Sequence, residues 1–120
     1  MILSCLTINL KVDLPLTRQF LKWKNRRDAV NACIQSLNPD IIFAQEMSDD
    51  IYVDIQHDFA KKYTILKANR SDKEKNGESL AVLLKKSVFS EVEIKTIWLS
   101  KTPSVSSKLK TSLKPRIATV

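Results

Sequence analysis

Glu46 has the strongest chemical setting in this 120-residue sequence. It follows the apolar run Ile41-Ile42-Phe43-Ala44 through Gln45, and such a run reads as a strand covered on both faces. In α/β folds, groups that act on ligands gather beyond the carboxyl ends of strands, where loops open outward. A carboxylate there can ligate a hard cation such as Mg²⁺, which prefers oxygen donors. The position equally suits a carboxylate at a helix start, since Ser48 opens a helical segment and the dipole favours negative charge. Asn9 stands near the end of the first apolar segment. Its amide can bond a metal-bound water or a phosphate oxygen, and asparagine is also a common turn residue.

Other chemistries are excluded or weakly supported. A single glycine, Gly77, rules out glycine-rich phosphate loops and dinucleotide fingerprints. Tight turns then fall to Asn, Asp and Pro, as at Asn38-Pro39-Asp40. Cys5 and Cys33 lack the neighbours a zinc site or redox pair needs and read as buried, reduced thiols. His57, the single histidine, falls on a helical segment and reads as a solvated or capping residue. No apolar run approaches the roughly 18 residues of a membrane helix. Met1 to Leu10 has no basic start and is no leader peptide, so a cytoplasmic location is expected.

The net charge of +7 is unevenly placed. Residues 1–60 carry 6 Lys and Arg against 8 Asp and Glu; residues 61–120 carry 14 against 5. A basic half attracts phosphate-rich partners, although a lysine-rich solvated surface has the same composition.

These residues need a scaffold. Ile2 to Leu10 reads as a buried strand. Lys11 to Gln19, with Pro15, reads as a loop. From Phe20 to Leu37, apolar residues recur at helical spacing through Trp23, Val30, Cys33, Ile34 and Leu37, and Asn38-Pro39-Asp40 ends the helix. With Ile41–Ala44 as the next strand, the segment is a βαβ unit, which favours parallel pairing and places Asn9 beside Glu46. Ser48 to Phe59 reads as a second helix with Ser48 as N-cap. Strands are expected at Tyr63–Lys67, Leu80–Leu84, Val92–Leu99 and Arg116–Val120, with a charged loop at Asn69–Asn76 and a polar connection over Ser100–Pro115.

In order along the chain, the motifs resemble the endonuclease/exonuclease/phosphatase superfamily, whose fold is that of DNase I. The first strand ends in Asn9; Trp23-x-x-Arg26 is similar to the opening of the family's first helix; Asn38-Pro39-Asp40-Ile41 followed by Gln45-Glu46 resembles its most diagnostic stretch. Arg70-x-Asp72, Gly77-Glu78, Trp98 to Pro103 and Pro115 to Thr119 resemble a bacterial-type branch. The resemblance implies an α/β fold: a DNase I-like four-layer sandwich, represented over residues 1–120 by roughly its N-terminal half, one mixed sheet with helices on one face.

The resemblance also implies a phosphoesterase using Mg²⁺ or Mn²⁺. Glu46 would be the metal ligand, with Asn9 beside the metal and the scissile phosphate. Arg70, Glu78 and Arg116 would lie on the substrate side, and Arg26 would be structural. The family pattern continues past Val120 with histidine and aspartate segments, so the chain is expected to be truncated and inactive alone. Its substrate would be a phosphate ester, with nucleic acid in the range, and no membrane is involved. The inner sheet face would seek a second copy or a chain carrying the remaining segments. Two alternatives stand beside this reading: a non-catalytic binding module, and half of a split enzyme.

Overall fold

The computed structural model describes residues 1–71 and 78–120. Asp72 and Gly77, two positions of the family-like stretch, lie outside the described residues, as does most of the loop expected over Asn69–Asn76. Strand β1 (Cys5–Asn9) leads through a short 3₁₀ turn (Gln19–Leu21) to helix α1 (Trp23–Leu37). There follow β2 (Ile41–Met47), α2 (Asp49–Phe59), β3 (Tyr63–Asn69), β4 (Ser79–Lys85), β5 (Thr96–Trp98) and β6 (Ile117–Thr119). The main sheet has the order β1-β2-β4-β3, with β1 parallel to β2 and the other pairs antiparallel. Strands β5 and β6 form a separate antiparallel pair. The result is a mixed α/β architecture. Among the described residues no helix is long and apolar enough to cross a membrane.

One sheet face carries the core. Ile42 and Ala44 of β2, Ala81 and Leu83 of β4, and Tyr63 of β3 are buried with Trp23 and Ile34 of α1 and Ile51, Ile55 and Phe59 of α2. Both helices therefore cover the same side. The four-residue spacing of Ile51, Ile55 and Phe59 forms one helical stripe, and the alternation along the strands follows their period of two. The opposite face is apolar as well but less covered. Ile41, Phe43, Leu66, Val82 and Leu84 line a groove of about 360 Å³, flanked by Val92, Ile94 and Val120, and Phe43 remains 42% exposed.

Local chemistry sets the element ends. Asn38 terminates α1 with φ 47°, and its N–H bonds the Ile34 carbonyl at 2.9 Å. Asparagine tolerates this left-handed geometry where glycine would be usual. Ser48 holds the N-cap position of α2, with Asp49 and Asp50 in the first turn, but its side chain makes no capping bond.

Several expectations are corrected. The first strand begins at Cys5, since Met1 and Ile2 are fully exposed. Helix α1 begins at Trp23 because Lys22 is extended (ψ 149°), and Phe20 lies outside the stripe at 65% exposure. Cys5 and Cys33 are exposed: Cys5 is on the outward side of an edge strand, and Cys33 is one position off the buried Ile34. The strand expected over Val92–Leu99 shortens to Thr96–Trp98, and that over Arg116–Val120 to Ile117–Thr119.

A charged lock closes the end of the sheet away from Asn9. The Lys85 ammonium donates to Asp40 Oδ1 at 2.8 Å and to the Asn38 carbonyl at 2.6 Å. Asp40 Oδ2 accepts from the Ser4 amide and hydroxyl at 2.9 and 2.8 Å, and the Tyr63 hydroxyl donates to the Pro39 carbonyl at 2.7 Å. The Lys85 and Ser4 hydrogen bonds pull the Asp40 carboxyl down to about 2. A depressed carboxyl contributes stability that is full above its unfolded value, near 3.9, and is lost as pH falls through the folded value. Asp58 is depressed too, first by its Arg27 hydrogen bond. Urea midpoints should therefore decline between about pH 4 and pH 2. Asp40→Asn should flatten part of that decline; an unchanged acid limb would show that the Asp40 contacts do not form.

Candidate active site

The parallel register sets Asn9 opposite Gln45, which brings the next residue, Glu46, within reach. Asn9 Nδ2 donates to Glu46 Oε1 at 2.9 Å, and the Val12 amide donates to Oε2 at 3.1 Å. Asn9 Oδ1 in turn accepts the Lys11 amide at 2.8 Å. Asn9 is thus both a turn residue and the holder of the carboxylate. Glu46 itself adopts φ 54°, which costs an L-residue roughly 1–2 kcal/mol. The cause is a bulge: β2 pairs Ala44 with Ala81 but Met47 with Ser79, so one extra residue enters β2 between them. Bulges commonly redirect a side chain beside a working site.

The loop after β1 is held from below by Arg26. Its guanidinium donates to three carbonyls, those of Leu21 (2.6 Å), Leu10 (2.8 Å) and Lys11 (2.8 Å). Asp13 accepts the Trp23 amide with both oxygens, at 2.9 and 3.0 Å, capping α1 from ten residues upstream. Arg26 is structural, in agreement with the sequence reading. Asp13 and the Val12 amide gave no sequence signal, because a loop contact between distant positions leaves no periodicity. Arg27 braces the helices, bonding Asp54 at 2.9 Å and Asp58 at 2.8 Å.

The remaining candidates meet at the same end of the sheet. Ser79 pairs with both Met47 and Asn69, so Glu78 and Arg70 flank the strand ends next to Glu46. Arg70 and Glu78 form an ion pair at 2.7 Å. Both line a cavity of about 260 Å³ with Leu99 and Arg116, and the Trp98 indole donates to the Arg70 carbonyl at 3.0 Å. The five residues thus fall into two groups, Asn9 with Glu46 and Arg70 with Glu78 and Arg116. His57 is elsewhere: it lies near the far end of α2, 80% exposed, with Nδ1 at 2.8 Å from Asp58.

The donor set fits a loosely held hard cation. Each Glu46 oxygen accepts one hydrogen bond and keeps lone-pair capacity. Asn9 faces the carboxylate through its nitrogen, so its contribution is orientation. Among the described residues no three His, Cys, Asp or Glu side chains converge. Mg²⁺ characteristically binds through one or two carboxylates, completing its shell with water and substrate phosphates.

Neither a family model nor a curated protein matches the sequence. Solved structures do. An endonuclease/exonuclease/phosphatase from Bacteroides vulgatus superposes with a TM-score of 0.85 at 25% identity, over 98% of this chain and 44% of that one. The fold is that of the endonuclease/exonuclease/phosphatase family. A mannosyl-6-phosphatase from Bacteroides thetaiotaomicron gives a TM-score of 0.85 at 26% identity, covering 98% of this chain and 44% of that one. A conserved protein of unknown function from Enterococcus faecalis gives 0.83 at 28%, covering 97% and 44%. The chain therefore spans less than half the length of these structures, an extent consistent with an N-terminal half.

Arg26 offers a direct test of the loop geometry. Arg26→Met should cost about 1–3 kcal/mol in urea unfolding, because three carbonyls lose a charged donor. The Val12 amide should exchange faster with solvent. Unchanged stability and Val12 protection would contradict the bracing role.

Proposed function

We propose that this chain supplies the carboxylate–amide corner of a divalent-metal-dependent phosphoesterase site. The observation that carries the reading is the Asn9–Glu46 hydrogen bond at the parallel strand ends, made by a glutamate held in a strained backbone at a bulge. Such strain is characteristic of working sites. Glu46 would hold Mg²⁺ or Mn²⁺, which when bound neutralises charge on a phosphoryl oxygen and helps orient an attacking water. Asn9 and the Val12 amide fix the carboxylate. Arg116 offers a cation to the ester beside the Arg70–Glu78 pair, whose charges offset each other.

The proton-transfer groups must come from other segments. His57 is turned to solvent and bonded to Asp58, and the described residues hold no group of three His, Cys, Asp or Glu side chains. On this reading the remainder of the family fold, in the same or another chain, covers the apolar Phe43 face and completes the site, so these residues alone do not turn over substrate. The likeness to a mannosyl-6-phosphatase brings phosphomonoesters into the range of substrates, beside phosphodiesters. A purely binding module is less favoured, since it gives no reason for the strain at Glu46.

Mn²⁺ is a usable probe because its paramagnetism broadens nearby proton signals. Titration should broaden the Asn9 side-chain amide and the Val12 amide before other signals. Glu46→Gln should abolish this, and Asn9→Ala should weaken affinity about 10–100-fold, the usual cost of losing a partner that orients a metal ligand. Mixing with a polypeptide carrying the family's histidine and aspartate segments should give Mg²⁺-dependent hydrolysis of a phosphate ester, absent with Glu46→Gln. Broadening that persists in Glu46→Gln would overturn the metal site.

A further inference from the structure

The connection between β5 and β6 carries charge that, Arg116 apart, the site as described does not use. Residues 99–116 contain Lys101, Lys108, Lys110, Lys114 and Arg116 and no acidic residue; the nearest Asp or Glu before them is Glu93, and none follows to Val120. All five cations are exposed. The loop has internal structure: the Trp98 amide bonds the Pro103 carbonyl at 3.0 Å, Ser107 Oγ bonds the Thr102 carbonyl at 2.9 Å, and Lys108 Nζ reaches the Leu113 carbonyl at 3.2 Å. Its two ends are joined where the Leu99 amide donates to the Arg116 carbonyl at 2.8 Å. Those two residues line the cavity shared with Arg70 and Glu78. The cationic loop is therefore tethered to the site end of the sheet.

A compact phosphate ester needs one or two cations at its phosphate. A run of five along one loop, with Arg116 in the cavity wall, matches a ligand that repeats its charge. We propose that residues 101–116 form a track for the phosphates of a single-stranded nucleic acid next to the scissile position. This deepens the phosphoesterase reading and rests on it for what the strand presents to Glu46. Lysines supply four of the five charges, so the contacts are phosphate contacts without base readout. Binding is then independent of sequence and strongly salt-dependent, since each neutralised phosphate releases counterions.

The test uses the full chain, a fluorescent 12-nucleotide single-stranded DNA, and EDTA throughout, so that it does not depend on the metal site. Affinity is measured from 50 to 200 mM NaCl. Lys108→Gln/Lys110→Gln should raise Kd and reduce the slope of log K against log salt by about 1.4, at about 0.7 per phosphate contact on a single strand. Lys61→Gln/Lys62→Gln removes the same charge at the start of β3, the opposite end of the sheet from the cavity, and should leave the slope within a few tenths of wild type. Glu46→Gln should bind the DNA with the wild-type slope, so that failure of the metal reading and failure of the track remain separate results. The track is overturned if the wild-type chain does not bind the oligonucleotide. Equal slope changes in the two lysine pairs would reduce the effect to net charge and overturn it too. So would tighter, Lys108- and Lys110-dependent binding to vesicles of anionic phospholipid, which would make the loop a membrane contact.

Discussion

The register between β1 and β2 is the constraint on which the rest depends. Strand side chains alternate, so a slip of one residue would exchange the two faces of β1. In the observed register Leu6 and Ile8 pack on the side of Ile42 and Ala44, while Cys5, Thr7 and Asn9 face away. The pairing is secured at both ends. Ser4 meets Asp40 at one, and the Leu10 amide donates to the Gln45 carbonyl at 2.9 Å at the other. Only with this alignment can a short asparagine reach a glutamate 37 positions away in sequence.

The two ends of the sheet solve different problems. At the Asp40 end, Lys85, Ser4 and Asp40 satisfy one another, so the charges there consolidate the fold. Between the helices, Arg27 is pushed further toward its charged form, chiefly by its hydrogen bond to Asp58. At the Glu46 end, by contrast, an amide side chain and a backbone N–H hold the carboxylate, and among the described residues no Lys or Arg pairs with it. Asp40 and Asp58 are thus paired with Lys85 and Arg27, whereas Glu46 is oriented by uncharged donors.

Much of this was legible in the sequence, and the reasons it was are physical. Continuous apolar runs such as Ile41–Ala44 and the helical spacing of Trp23, Val30 and Ile34 report burial, so element types and the βαβ pairing followed from the chain. Asn38-Pro39-Asp40 announced the helix end because proline disfavours helical geometry in the residue before it. Where the reading failed, the relevant information was tertiary. Cys33 lies one position from buried Ile34, and composition cannot rank two apolar neighbours on a helix. Phe20 has the right spacing from Trp23 but the wrong backbone, because Lys22 is extended. At Glu46 the sequence showed a carboxylate at a strand end but not the bulge, and Arg26 disclosed no sign that it would hold three carbonyls.

The bulge in β2 also acts as a change of phase. Up to Ala44, even-numbered residues face the core; after the extra residue the odd-numbered Met47 does, and it is fully buried. The strand thereby continues as an element of the core while Gln45 and Glu46 fall out of step with it. A strand of strict period two would have committed either Gln45 or Glu46 to the helix-covered side. The single added residue separates the two duties of β2, so substitutions that repack its first half leave the carboxylate's geometry to be decided by the second.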